Sequence, residues 1–306
     1  VAVPQMGLGH NLETRDSVIV DKIIAVLSLD TGGTSDYVTK DNDDGTVTFL
    51  TFRGTYPGNY FFLPATIDGK TVTKISSFAF AGQNNLEAVV LPGTVTEIER
   101  YAFAGLTNLE EVAFSDNSHL EHIGYAAFAG CSSLYMFSSS NEYRLTLPES
   151  VKTIGAYAFS GTKFSHVEMY NRVESIGDGA FAGCSLLEYI EFRTNMYYFS
   201  DEGVLYNSQG WIMQYPQAKT GTSFTIPTSL YNVDIKFISP YAFYGNTELS
   251  SVNISGIKTI SDYAFARCEN LSTITGGDEI EYVAPTALTG NSERTILHVR
   301  RGTRSV

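Results

Sequence analysis

Val173–Phe192 reads VESIGDGAFAGCSLLEYIEF, and its layout decides how the whole chain is read. Aligning on the pair Ala180-Phe181 picks out Ala79-Phe80, Ala102-Phe103, Ala127-Phe128, Ala158-Phe159, Ala242-Phe243 and Ala264-Phe265, with Ala287-Leu288 as a degenerate copy. The second residues of successive pairs lie 23, 25, 31, 22, 62, 22 and 23 positions apart. A fixed period of this size is the mark of a repeat array. Each copy carries more than the pair. Ahead of it stands an apolar residue, two variable ones and Ile or Val, as in Val95–Ile98, Val151–Ile154 and Ile257–Ile260. Behind it comes a small turn, then Leu-x-x-Val/Ile-x-apolar, as in Leu86–Leu91, Leu109–Phe114, Leu187–Phe192 and Leu249–Ile254.

The Leu-x-x-Ile-x-Leu element alternates inward and outward and predicts a short strand. Pro92, Pro148 and Pro227 follow three of these strands, where a residue with no N–H to donate does least harm. One repeat cannot bury its apolar face, but stacked repeats bury a continuous ladder. The Phe of each pair is expected to form one rung of it, with the small Ala beside it where backbones are close.

The pattern V-x-x-I-G-x-x-A-F-x-G-C-x-x-L-x-x-I-x-L-P resembles the BspA-like leucine-rich repeats of bacterial surface and secreted proteins. The resemblance runs over roughly residues 60 to 300. It implies a β-rich repeat solenoid: a right-handed leucine-rich-repeat superhelix of short parallel strands. It also implies extracellular or cell-surface placement and roles in adhesion and protein binding; some members bind host matrix proteins such as fibronectin and fibrinogen. Asp201–Pro216, DEGVLYNSQGWIMQYP, resembles a family element that replaces an ordinary repeat. Val204–Tyr206 and Trp211–Tyr215 flank the turn residues Asn207-Ser208-Gln209-Gly210, which predicts a β-hairpin.

Residues 1–45 lack the repeat and are expected to cap the first rung. Asp16-Ser17 precedes Val18, Ile19, Ile23, Ile24, Val26 and Leu27, which predicts a short capped amphipathic helix near 17–28. Thr31–Gly45 reads as loop and Thr46–Phe52 as a strand. Residues 46–306 form the expected solenoid of about nine repeats, with the modified hairpin repeat near 197–227. Ile296–Gly302 resembles the family's closing strand.

A formal charge of −13 argues against nucleic acid, because a phosphate partner needs a basic face, and equally against an anionic membrane surface. No run of about 18 apolar residues spans a bilayer. No basic segment leading into an apolar one opens the sequence, so no signal peptide is read within it.

The three cysteines, Cys131, Cys184 and Cys268, share one slot in the repeat. Cys131 and Cys184, two repeats apart, are expected about 10 Å from each other, beyond disulfide reach. Buried free thiols are the expectation. His119 and His122 lie three apart without a third ligand nearby and read as ordinary solvated residues. Asp41-Asn42-Asp43-Asp44-Gly45 fails the calcium-loop spacing, because Gly45 falls where an oxygen ligand belongs. No nucleophile, metal or phosphate-loop motif appears. The reading is therefore a non-enzyme without cofactor or metal.

The outward positions of the strands stack into columns on one concave sheet face. Glu110, Glu111, Tyr135, Met136, Glu168, Glu188, Tyr189 and Glu191 are the candidate ligand-binding residues there. Tyr, Met and carboxylates side by side suit a protein ligand with a basic segment; a solvated face with incidental aromatics is the competing reading. In the hairpin, Tyr206, Trp211 and Tyr215 form either a ligand patch or the cover of the hairpin's own core. The functional expectation is an adhesin-like, extracellular or cell-surface protein-binding module, possible ligands including host extracellular matrix proteins. The alternatives are a structural spacer within a longer surface protein and a glycan-binding protein.

Overall fold

The computed structural model describes residues 36–115, 117–138, 143–193, 195–292 and 295–299, with the backbone alone of 304–305. Among them the chain is a parallel β-solenoid without an α-helix. The helix expected near 17–28 lies outside the described residues.

Each turn contributes strands to two ladders. The Leu-x-x-Ile-x-Leu segments build the first. Tyr60–Phe62, Ala88–Leu91, Glu111–Phe114, Met136–Phe137, Arg144–Thr146, His166–Met169 and Tyr189–Phe192 pair in parallel and in sequence order. After a break the same face resumes in Ser223–Thr225, Ser251–Asn253, Thr273–Gly277 and Ile296–Val299. The Val-x-x-Ile elements build the second ladder from strands only two residues long, such as Glu97–Ile98, His122–Ile123, Thr153–Ile154 and Ser175–Ile176. In both ladders apolar residues face inward in register: Val89 opposite Val112, Val167 opposite Ile190, Ile98 opposite Ile123.

Between the ladders the Ala-Phe rings stack as the period requires. Phe80, Phe103, Phe128, Phe159 and Phe181 follow one another at centroid distances of 4.3, 4.9, 5.3 and 6.0 Å, with adjacent planes within 16° of parallel. The file does not run through the whole chain. A second stack, Tyr215, Phe243 and Phe265, is spaced 5.0 and 4.6 Å. The buried apolar residues divide at the same place, one core running from Val47 to Leu205 and the other from Phe199 to Ala287.

Each of the two long spacings between Ala-Phe pairs holds an extra strand of the first ladder. Arg144–Thr146 lies inside the spacing of 31 and Ser223–Thr225 inside the spacing of 62. The expected hairpin forms: Val204–Asn207 pairs antiparallel with Trp211–Gln214, and Tyr198–Asp201 joins it on the other side. The Tyr198 hydroxyl accepts a hydrogen bond from the Ile176 N–H at 2.9 Å, covering the edge where the second ladder stops. The expectation of a loop through Thr31–Gly45 needs correction where it is described. Tyr37–Asp41 is a strand, antiparallel to Val47–Phe52, and Asp44 Oδ1 ties the turn between them by accepting from the Thr46 N–H. The polar composition of YVTKD conceals a strand that Tyr37 anchors against Phe49, Phe52 and Phe61. Ile296–Val299 does close the first ladder, in parallel with Thr273–Gly277.

Candidate functional site

The outer side of the first ladder brings together most of the residues that the repeat columns single out, and the extra strand changes their neighbours. His166 stands opposite Tyr189 and Glu168 opposite Glu191, as the columns require. On its other side His166 faces Arg144 and Glu168 faces Thr146. Neither belongs to the repeat pattern. Tyr143, just before that strand, stacks on Tyr135 with centroids 5.1 Å apart. Tyr135, Tyr143, His166 and Tyr189 thus form an aromatic cluster in the middle of the face. Tyr143 and Tyr189 are exposed, whereas Tyr135 and His166 are half-buried.

Tyr189 is placed from outside its own repeat. Its ring lies against the backbone of Gly203 in the hairpin, where a Cβ would come within 2.5 Å of Cδ2. Gly203 has φ +82°, so both the conformation and the close approach demand glycine. The hairpin therefore acts as a backing plate for Tyr189.

The acidic candidates separate into two kinds. Glu168 sits between Arg144 (3.6 Å) and Arg193 (3.4 Å), and its charge is largely compensated. Glu110, Glu188 and Glu191 are exposed and supply the face's free negative charge. Glu111 and Met136 are buried despite their outward direction, so neither offers contact area to a ligand.

The hairpin aromatics are not brought to the surface together. Tyr206 and Tyr215 are buried in the second core, and burial pushes the Tyr215 phenol up to about 12. Trp211 is half-buried and stacks on Phe237 at 4.7 Å. They cover the core of their own repeat.

One aromatic feature escaped the sequence reading. Phe78, Tyr101, Tyr125, Tyr157, Tyr241 and Tyr263 form a continuous file along the outside of the solenoid, at successive centroid distances of 5.0, 5.3, 5.6, 5.2 and 5.2 Å. Five of them directly precede Ala-Phe, which was the available signal. Their φ angles, from 56° to 63°, are costly for a bulky residue. Burial, followed by a hydrogen bond with Tyr241, raises the pKa of the Tyr157 phenol.

The cysteines and histidines are occupied structurally. The thiols of Cys131, Cys184 and Cys268 are free and buried; each donates to the carbonyl of a ladder phenylalanine in the previous turn, Phe103, Phe159 and Phe243, at 3.0, 3.1 and 3.0 Å. His119 Nδ1 lies 3.0 Å from the Gly93 carbonyl oxygen and His122 Nδ1 2.9 Å from Thr153 Oγ1. Among the described residues no group of three or more His, Cys, Asp and Glu could hold a metal ion.

The comparisons with known proteins agree with this architecture. The solved structure of pneumococcal vaccine antigen PcpA shares the fold at 20% identity and TM-score 0.55, over 83% of this chain and 75% of that one. A leucine-rich cell surface protein from Faecalibacterium prausnitzii is 22% identical, over 86% and 92% of the two chains, with TM-score 0.42. A leucine-rich repeat protein from Bacteroides ovatus is 20% identical, over 86% and 88%, with TM-score 0.49. No curated protein matches. The model of the BspA type leucine-rich repeat region matches residues 63–144, 134–210 and 217–303. By that match, covering most of its length, the chain belongs to the BspA type leucine-rich repeat family.

Proposed function

We propose that this protein is an extracellular or cell-surface binding module that presents the outer face of its first ladder to a protein ligand, in the manner of an adhesin. The observation that carries the reading is the aromatic cluster Tyr135, Tyr143, His166 and Tyr189 bordered by Glu188 and Glu191 on a hydrogen-bonded sheet. Aromatic side chains supply contact area at low entropic cost, and flanking carboxylates steer a basic partner segment toward them. The charge of −13 favours the same class of partner. Membership of a family rich in surface proteins supports the placement outside the cell. Host extracellular matrix proteins with exposed basic segments are the ligand class to test first.

Immobilised fibronectin and fibrinogen should capture the intact chain, with affinity falling as salt rises. Tyr189→Ala should weaken capture at least tenfold, a typical cost for a central aromatic contact, and Glu188→Lys/Glu191→Lys should slow association. A chain that captures neither protein, or variants that bind as well as the parent, would count against the assignment.

A further inference from the structure

The outer aromatic file is more continuous than the repeat that carries it. In five copies the ring stands in the slot before Ala-Phe, at positive φ. The fold does not require a ring there, because Ala126 and Gly179 fill the same slot at φ 50° and 61°. In both of those copies the file is kept whole by other means. Tyr125 supplies a ring one residue earlier, 5.3 Å from Tyr101. At Gly179 the file closes up instead: Tyr157 meets Tyr241 at 5.2 Å, passing so near the glycine that a Cβ there would lie 2.9 Å from its ring. The inner ring stack and the first ladder both break at this junction, and the outer file does not. Phe78 and Tyr125 are 53% and 43% exposed. Rings held in a costly backbone conformation and left open to solvent are a mark of a functional surface.

We propose that this file is a binding track for an extended, neutral polysaccharide of β-linked pyranoses. The first argument is shape. Successive rings lie 5.0 to 5.6 Å apart, close to the advance of one sugar along such a chain, so each unit meets its own ring. Three consecutive steps are edge-to-face, at 66°, 76° and 82°. A ring that turns its edge to a neighbour does not hide its faces there, and the C–H face of a pyranose packs on an open ring face. The second argument is charge. Directly before the six rings stand Ser77, Arg100, Gly124, Ala156, Pro240 and Asp262, one charge of each sign. On the second-ladder strands leading into these turns, charges pair with one another: Lys74 with Glu97 at 2.7 Å, Lys152 with Glu121 at 2.8 Å and Lys258 with Glu281 at 2.6 Å. Little of the net charge of −13 lies along the file, which suits an uncharged ligand. The third argument is chemistry. Five of the six rings are tyrosine, where a wholly apolar partner would be served by phenylalanine. Tyr101 bonds to Tyr125 and Tyr157 to Tyr241. Each such bond uses one phenol proton and leaves the other for a sugar hydroxyl.

The track runs along the turns before Ala-Phe and not along the first ladder. It is therefore separate from the cluster around Tyr189, and it stands whether or not that cluster takes a protein ligand.

Native affinity electrophoresis of the full chain tests the assignment, in gels containing hydroxyethyl cellulose, glucomannan or mixed-linkage β-glucan, with α-linked dextran as control. At least one β-linked polymer should retard the protein and dextran should not. A hexasaccharide of the retarding polymer should compete at least tenfold better than its disaccharide, because several rings act together. Tyr125→Ala, outside the positive-φ slot, and Tyr263→Gly, which puts in that slot the residue already tolerated at Gly179, should each weaken retardation at least tenfold. Both variants should keep the near-ultraviolet signal of Trp211 and the protection of the three buried cysteines. Tyr125→Phe should retain most of the binding, and Tyr282→Ala, an exposed tyrosine off the file, all of it. Free passage through all three β-linked polymers overturns the proposal. So does retardation that survives Tyr125→Ala and Tyr263→Gly, or that Tyr282→Ala abolishes, and so does equal competition by disaccharide and hexasaccharide. Displacement by poly-L-proline but not by the hexasaccharide would assign the track to a proline-rich protein segment and overturn it equally.

Discussion

A single slot in the repeat shows how side-chain chemistry is chosen residue by residue. Three positions beyond the ladder phenylalanine stand Gln83, Leu106, Cys131, Thr162, Cys184, Asn246 and Cys268, all buried. In the three cysteine copies the slot lies against the phenylalanine carbonyl of the previous turn, to which the thiol donates while behaving otherwise as an apolar group. Burial pushes the Cys131 and Cys268 thiols up to about 12 from an ordinary value of 9.0, and Cys184 upward as well. At pH 8 they should be inert to maleimide until the chain unfolds. The stability consequence has a definite sign. A folded pKa raised above the unfolded one means that the folded state holds the proton more tightly. The contribution is fully present below about pH 9 and is lost as pH rises toward 12. Urea midpoints measured between pH 8 and 11 should fall with pH, and Cys131→Ala/Cys268→Ala should fall less steeply across that window. An identical slope in the variant would show that the alkaline loss comes from tyrosines alone.

At the scale of the strand and turn, much was legible because the repeat imposes one solution on every copy. Phe103, Phe128 and Phe159 occupy their rungs, and the Val-x-x-Ile column pairs Thr153 with Ser175 as aligned. What escaped lies where length departs from the period. Arg144–Thr146 is three residues of RLT, too short to show alternation, and its only trace was a spacing of 31 together with Pro148. The Arg144–Glu168 pair and the Tyr143 contact were invisible for the same reason. The glycine after Val-x-x-Ile was seen as pattern and is explained by nesting of turns. A Cβ on Gly155 would lie 2.5 Å from both the Gly124 carbonyl carbon and the Tyr125 nitrogen, and backbone cannot yield as a side-chain tip can. Gly155→Ala should therefore force two turns apart at a cost of about 1–3 kcal/mol, read as a lowered denaturation midpoint, although alanine normally rigidifies the unfolded chain favourably. An unchanged midpoint would mean that the turns slide without penalty.

For the whole molecule the decisive feature is that the apolar file breaks once. Stability in a solenoid is close to a sum of repeat and nearest-neighbour terms, so the weakest junction sets how far unfolding spreads. Here the junction is the modified repeat. Two cores meet there, the ring stack passes from Phe181 to Tyr215 without a close pair, and the first ladder is interrupted between Phe192 and Ser223. The ties across it are gathered at the hairpin: the Ala218 N–H to the Leu187 carbonyl at 2.6 Å, the Ile190 N–H to the Gly203 carbonyl at 3.0 Å, the Ile176 N–H to the Tyr198 hydroxyl at 2.9 Å, the Phe192 N–H to Ser200 Oγ at 3.0 Å, and the ring pairs Phe192–Tyr198 and Tyr157–Tyr241 at 5.7 and 5.2 Å. Equilibrium unfolding followed by near-ultraviolet signal and by hydrogen exchange should resolve two transitions, because Trp211 reports only on the second unit and exchange reports on both. Phe159, stacked between Phe128 and Phe181, should cost the first unit about 3–5 kcal/mol when truncated to Ala and leave the tryptophan transition in place. Phe243→Ala should do the reverse. If each substitution moves both transitions together, the ties at the hairpin couple the two ring stacks, and the solenoid is one cooperative unit after all.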